Sequence, residues 1–206
     1  MILCDIGNSF YHFYKDGRVW KQSVDSVPDL NHGEEIFVVS VNDAALAALA
    51  KKYDVEDISG MLHLDSDYIG LGADRAFACY AAHDGVVIDA GSAITVDIMQ
   101  GGFHLGGFIL PGISTLVESY AKISKKLDVG FNMGVGLSAL PQNTKDAISY
   151  GALMSVMASI REASRGKFIY FTGGDGKFLS RFFEDRSAVD DTLIFKGMLK
   201  LIKREF

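Results

Sequence analysis

The chain has 206 residues, a hydrophobic share of 49%, a charged share of 22% and a formal net charge of -6. That length suits one large domain or two small ones, and the composition suits a folded chain with a sizeable core rather than a disordered one. The acidic balance, with no basic run longer than Lys125-Lys126, argues against a nucleic-acid partner.

Met1-Ile2-Leu3-Cys4-Asp5 carries no basic stretch ahead of a long apolar run, so no signal peptide is expected. No window reaches ~18 uninterrupted apolar residues, so a cytoplasmic protein with no membrane partner is expected. Residues 1–8 read as a buried strand ending in a polar glycine turn. Residues 9–14 are aromatic-rich and read as a second strand. Asp16-Gly17 is a hairpin signal, and Arg18-Val19-Trp20 starts the return strand. Phe37 to Val41 is a short apolar strand, and Asn42-Asp43 offers a cap for a helix over 44–53.

Gly70, Gly72 and Asp74-Arg75 read as a loop before an Ala-rich helix that reaches about His83. Val86 to Asp89 is an apolar strand, and Ile94 to Met99 is its β-branched partner. Gln100-Gly101-Gly102 turns into a third strand, Phe103 to Leu110. Segments 113–124 and 143–164 have helical periodicity, the second with Asn143 or Thr144 as cap. Phe168 to Phe171 is a buried strand leading into Thr172-Gly173-Gly174-Asp175-Gly176. The tail from Asp191 to Phe206 reads as an amphipathic helix with its basic residues near the C-terminus, as the helix dipole prefers.

Cys4 and Cys79 lack CxxC spacing and read as buried reduced thiols. The histidines at 12, 32, 63, 83 and 104 are scattered without metal-ligand spacing, so no zinc site is expected. The run Phe10, Tyr11, Phe13, Tyr14 fits a packed strand better than a base-stacking surface. Ile148, Leu153, Val156, Met157 and Ile160 form a stripe for the core or a dimer contact.

One pattern occurs twice. A strand, then Asp, any residue, Gly, a small polar side chain and a hairpin spans residues 1–20 and again 86–110. This predicts a duplicated α/β architecture with a cleft between the halves. Asp-x-Gly ends many strands as a plain turn. Paired, and with Thr172-Gly173-Gly174 after a third strand, the turns suit phosphate: backbone N–H groups and neutral hydroxyls meet the anion. An Asp there would hold a cation rather than touch phosphate. Neither a Walker A loop nor a dinucleotide fingerprint is present. Asp74-Arg75 offers a carboxylate to take a hydroxyl proton and a guanidinium for an acidic substrate; a helix cap with a solvated Arg is the plainer alternative.

Five ordered blocks together resemble type III pantothenate kinases. They are Asp5-Ile6-Gly7-Asn8-Ser9, Gly72-Ala73-Asp74-Arg75, Asp89-Ala90-Gly91-Ser92-Ala93-Ile94-Thr95-Val96-Asp97, Gly106-Gly107-Phe108-Ile109-Leu110-Pro111-Gly112 and Thr172-Gly173-Gly174. The resemblance implies a ribonuclease H-like fold of the acetate and sugar kinase/Hsp70/actin superfamily, and a homodimer that phosphorylates pantothenate with ATP. It implies halves at 1–71 and 72–190, with a helix over 191–206 packing back across them.

By resemblance, Asp74 is the catalytic base, and Tyr68, Gly72, Ala73, Asp74, Arg75 and Thr144 bind pantothenate, Thr144 from the partner subunit. Asp5, Gly7, Asn8 and Ser9 form the first phosphate motif, and Gly91, Ser92, Ile94 and Thr95 the second. Gly173 and Gly174 lie on the adenosine side. Asp89 is the ligand of a monovalent cation, K⁺ or NH₄⁺, and Asp5 serves Mg²⁺, directly or through water.

The chain departs from the family pattern in a shorter segment between Asn8 and Gly72, in Asp65-Ser66-Asp67-Tyr68 where a proline is usual, and in Ser9 and Ser92 where threonine is commoner. A non-catalytic regulatory relative, or a kinase of the same fold for another small acid or sugar, are the alternatives. The phosphotransfer reading requires Asp5, Asp74 and Asp89 to converge.

Overall fold

A computed structural model describes residues 1–31, 33–183 and 186–205 of the chain. His32 and Phe206, which figure in the sequence expectations above, lie outside the described residues. The chain forms two compact units. One comprises 1–84, 99–106 and 190–206; the other comprises 85–98 and 107–189.

The first sheet has the order β3-β2-β1-β4-β5, built from β1 (Ile2–Ile6), β2 (Phe10–Lys15), β3 (Arg18–Ser23), β4 (Ile36–Ser40) and β5 (Val55–Asp57). β2 runs antiparallel to β1 and to β3, whereas β4 and β5 continue the sheet in parallel. The Asp16-Gly17 turn has positive φ at both residues, 48° and 84°, as a tight hairpin demands. α1 (Asp43–Ala50) carries the chain from β4 to β5, and Asn42 caps it by accepting the Ala45 N–H at 3.1 Å.

β1 is buried on both faces. Ile2, Cys4 and Ile6 pack with Tyr11, Phe13 and Leu49 on one side. Leu3 packs on the other side with Phe77 of α2 (Ala73–Ala82) and with Phe195 and Met198 of α6 (Leu193–Glu205). Because strand side chains alternate, Asp5 shares the Leu3 face, the one that α2 and α6 cover. The aromatic run is a packed strand: Tyr11 and Phe13 are fully buried, and the Tyr11 hydroxyl donates to the Ala45 carbonyl at 2.9 Å.

The second sheet has the order β10-β9-β6-β7-β8, from β6 (Gly85–Ala90), β7 (Ala93–Gln100), β8 (Phe103–Pro111), β9 (Ile169–Thr172) and β10 (Ser187–Val189). Read from its β8 edge it repeats the first sheet: hairpin strands, then the strand ending in Asp-x-Gly, then two parallel strands. α5 (Gly176–Ser180) joins β9 to β10 as α1 joins β4 to β5. α3 (Ile113–Ser119) and the long α4 (Thr144–Ser164) lie between β8 and β9, where the first unit has only residues 24–35. The α4 stripe is core: Leu153, Val156, Met157 and Ile160 pack against Ile88, Ile94 and Phe171.

The structure corrects several local expectations. Asp74 and Arg75 are not in a loop but in the first turn of α2, whose cap is Gly72. The helix expected over 113–124 ends at Ser119 and continues as separate 3-10 turns. β5, α5 and β10 were not foreseen. Both cysteines are buried thiols outside any disulfide, and burial pushes the Cys4 thiol well above its usual range, with the Asp5 charge adding to the rise.

Candidate active site

In the first unit, the central strand β1 carries Asp5 near its C-terminal end, and the chain then turns through Gly7, Asn8 and Ser9. The Gly7 N–H is engaged by the Phe10 carbonyl at 3.0 Å, and the Gly7 carbonyl accepts from the Asn42 amide at 3.4 Å. The side chains of Asn8 and Ser9 are exposed at the bend. Asp5 is directly opposite His12 across the β1–β2 ladder, and its carboxylate lies 3.6 Å from His12 Nδ1.

The same unit holds Tyr68, Gly72, Ala73, Asp74 and Arg75 of the expected substrate residues. Arg75 is buried, 9% exposed, and its guanidinium carbon lies 4.9 Å from the centre of the Tyr68 ring. Arg75 Nη1 also donates to the Tyr68 hydroxyl at 3.4 Å. Such a stack attracts the cation to the ring face, and a planar guanidinium so held suits bidentate pairing with a carboxylate. Asp74 Oδ1 accepts the Arg75 backbone N–H at 2.8 Å, one of the donors a helix start leaves without a helical partner. A carboxylate is well placed at that positive end. Gly72 makes room for it: a Cβ there would stand 2.5 Å from Asp74 Oδ1. Ala73 is the first residue of α2.

In the second unit, Asp89 is exposed although Ile88 and Ala90 on either side are fully buried. Three segments meet at the end of β6. Asp89 pairs with Thr172 in the β6–β9 ladder, and the Asp175 N–H donates to the Ala90 carbonyl at 2.9 Å. Gly173, at φ +81°, could carry no side chain, because a Cβ would stand 2.3 Å from Asp89 Oδ1 and 2.5 Å from the Ala90 carbonyl. From the other side Gly112 closes on the turn: its N–H donates to the Ser92 carbonyl at 2.9 Å, and a Cβ would fall 2.1 Å from the Gly91 carbonyl. Thr115 Oγ1 donates to the same Ser92 carbonyl at 3.0 Å.

The Gly91 N–H goes to the Ala93 carbonyl at 2.9 Å, the counterpart of the Gly7 bond. Ser92 is exposed and Thr95 half-buried, whereas Ile94 is fully buried in the core, leaving only its main chain for a ligand. Gly174 is next to Gly173 in the same bend. Burial raises the Asp175 carboxyl above the usual carboxylate range.

Thr144 is exposed at the start of α4, after the cap Asn143, which accepts the Asp146 N–H at 3.0 Å. Asp146 in turn accepts from the side-chain amides of Asn132 and Asn143, each at 2.7 Å, and those bonds hold its carboxyl below the usual range.

Gly112 and Asp175 beside the second turn, and Ser66 and His104 beside Tyr68, escaped assignment from sequence. Gly112 ends the Gly106–Gly112 block, but only the missing space for a Cβ reveals its task. The side chains assigned to cation and phosphate at the two turns offer oxygens, carboxylates at Asp5 and Asp89 and hydroxyls at Ser9, Ser92 and Thr95, with the His12 imidazole beside Asp5. That set fits Mg²⁺ or an alkali cation rather than a thiolate-preferring metal.

A family model described as type III pantothenate kinase matches residues 34–165. A type III pantothenate kinase of Helicobacter hepaticus is 47% identical over 206 residues, covering 100% of both chains. The chain belongs to the type III pantothenate kinase family. A crystal structure from Campylobacter jejuni, described as a "conserved putative Baf family transcriptional activator", is 43% identical, with a TM-score of 0.88 and coverage of 99% of this chain and 98% of that one. A "putative 2-dehydro-3-deoxygalactonokinase" structure from Sinorhizobium meliloti has a TM-score of 0.58 at 13% identity, covering 100% and 96%. That likeness concerns the fold alone. The repeated sheet order in this family member agrees with it. Among the described residues no helix is long and apolar enough to cross a membrane.

Proposed function

We propose that this chain transfers the γ-phosphoryl group of ATP to the 4′-hydroxyl of pantothenate, the first step of coenzyme A synthesis. The observation that carries the reading is the start of α2 in a chain of this family: a carboxylate beside a buried guanidinium stacked on a tyrosine. The hydroxyl oxygen forms the new bond to the γ-phosphorus, the bond to the β,γ-bridging oxygen breaks, and ADP leaves with that electron pair. Asp74 accepts the hydroxyl proton. Arg75, with Tyr68 behind it, binds the pantothenate carboxylate, and Gly72 and Ala73 shape the approach.

Asn8, Ser9, Ser92 and Thr95 supply neutral donors to the phosphates, with the main chain at Gly7, Gly91 and Ile94. Gly173 and Gly174 face the adenosine. Asp5 holds Mg²⁺, directly or through water, and Asp89 holds K⁺ or NH₄⁺. When bound, these cations offset phosphate charge. The rest of the catalysis is positioning. The same reading includes a cytoplasmic homodimer in which Thr144 reaches the partner's pantothenate, with neither nucleic acid nor membrane as partner. It takes 1–71 and 72–190 as the duplicated halves and 191–206 as a C-terminal helix.

The test is purified protein with ATP, Mg²⁺ and K⁺, offered pantothenate or a panel of sugars and small acids. Pantothenate-dependent ADP release is expected. Asp74→Asn is expected to lower kcat by about 10²–10⁴-fold with ATP binding retained. Near-normal turnover of that variant would remove Asp74 from its role, and preference for a sugar would overturn the substrate. A second reading, a regulatory relative without turnover, is favoured by the description of the Campylobacter jejuni structure. Salt-sensitive binding to duplex DNA by a protein with no pantothenate-dependent turnover would support it.

A further inference from the structure

Tyr68 lies in a stretch, 67–72, that belongs to no helix or strand, yet its ring is set against Arg75. Its position comes from a residue far along the chain. His104, at the start of β8 and within the same compact unit, is fully buried. The His104 N–H donates to the Asp65 carbonyl at 2.8 Å, and Ser66 pairs with His104 as an isolated parallel bridge. Ser66 Oγ lies 2.7 Å from His104 Nδ1 and also accepts the Tyr68 N–H at 3.0 Å. The His104 and Tyr68 rings are 5.8 Å apart, tilted by 56°. One hydroxyl therefore links a core imidazole to the backbone of the residue that supports the guanidinium.

We propose that Ser66 and His104 are positioning residues for the acidic substrate: they fix Tyr68, and Tyr68 fixes the direction in which Arg75 presents its guanidinium. The inference rests on the reading of Arg75 as the pantothenate-carboxylate partner and adds the elements that orient it. A buried Arg has many rotamers to lose, and a bidentate pair with a carboxylate needs one of them. The ring under Arg75 and its hydroxyl at Nη1 select that one before substrate arrives, which lowers the ordering cost of binding. Neither Ser66 nor His104 needs to touch ligand or phosphate, so their effect falls on substrate affinity.

Steady-state kinetics with pantothenate and ATP varied separately test this. Ser66→Ala removes the bridge with little volume change. It is expected to raise KM for pantothenate about five- to tenfold, the effect of one lost hydrogen bond, with KM for ATP and kcat nearly unchanged. Ser66→Thr keeps the hydroxyl and is expected to restore wild-type KM. His104→Asn, which retains a group at the Nδ1 position, is expected to fall between them. In a Tyr68→Ala background Ser66→Ala is expected to have no further effect, because both changes act on one arrangement. An unchanged KM for pantothenate in Ser66→Ala, a parallel rise in both KM values with a falling Tm, or additivity with Tyr68→Ala would each overturn the proposal. Wild-type protein that ignores pantothenate would instead overturn the functional reading beneath it.

Discussion

The two Asp-x-Gly turns share a sequence pattern and a place in their sheets, but they are built differently. The first is open: a Cβ on Gly7 would meet nothing nearer than the Phe10 carbonyl at 3.6 Å, and side chains from Asn42 and His12 brace it. The second is crowded by backbone, with Gly112 and Gly173 pressed against Gly91, Asp89 and Ala90. A turn braced by side chains can give a little when one is changed. A turn braced by main-chain contact cannot, because no rotamer relieves the overlap.

The largest expected effect is therefore at the second turn. Gly112→Ala drives a methyl group into the Gly91 carbonyl, and Gly173→Ala adds an unfavourable φ to a similar overlap. Each is expected to cost about 3 kcal/mol or more in urea unfolding. Gly7→Ala in the first turn, where φ is not positive, is expected to cost under about 1 kcal/mol. Equal costs at the two turns would erase the contrast.

Gly72→Ala comes next, because the atom it meets is the end of a side chain. The Asp74 carboxylate can swing away, so stability is expected to hold while kcat falls by about tenfold or more. A stability loss without a change in kcat would mean that the backbone moved instead.

The smallest effects are pH dependences, and they differ in sign. Burial raises the Asp175 carboxyl beside the second turn, so the stability it contributes is fully present below the unfolded carboxylate range, about pH 4, and is lost as pH rises through the higher folded value. Asp175→Asn is expected to flatten that loss in Tm measured against pH. Hydrogen bonds from Asn132 and Asn143 lower the Asp146 carboxyl, so its contribution is present above about pH 4 and is lost as pH falls through the lower folded value. Asp146→Asn is expected to remove that acid-side dependence. Parallel pH profiles for the two variants would contradict the opposite shifts.

Much of this molecule was legible in its residues. Long apolar or β-branched runs gave β1, β4, β6, β7 and β9, and Asn42 and Asn143 announced their helices by cap chemistry. The repeat of Asp-x-Gly before a hairpin foretold the repeated sheet order. The short elements were not legible. β5 is three residues ending in Glu56-Asp57, and α5 begins with a glycine, so neither has enough local preference to declare itself. They form because β4 and β9 offer partners.

The sequence by itself determined which groups are available: the Asp-x-Gly strands, Asp74 beside Arg75, the oxygen-rich donor sets and the family likeness they carry. Side-chain chemistry and strand periodicity are local properties, readable one residue at a time. Only the tertiary structure decided what surrounds them. It brought His104 under Tyr68 from 38 residues beyond Ser66, buried the Ile94 side chain, and left no space for a side chain at Gly112 or Gly173. Packing contacts join residues that are distant in the chain, and neither a hydrogen bond across that distance nor a missing space for a Cβ has a local signature in the residues themselves.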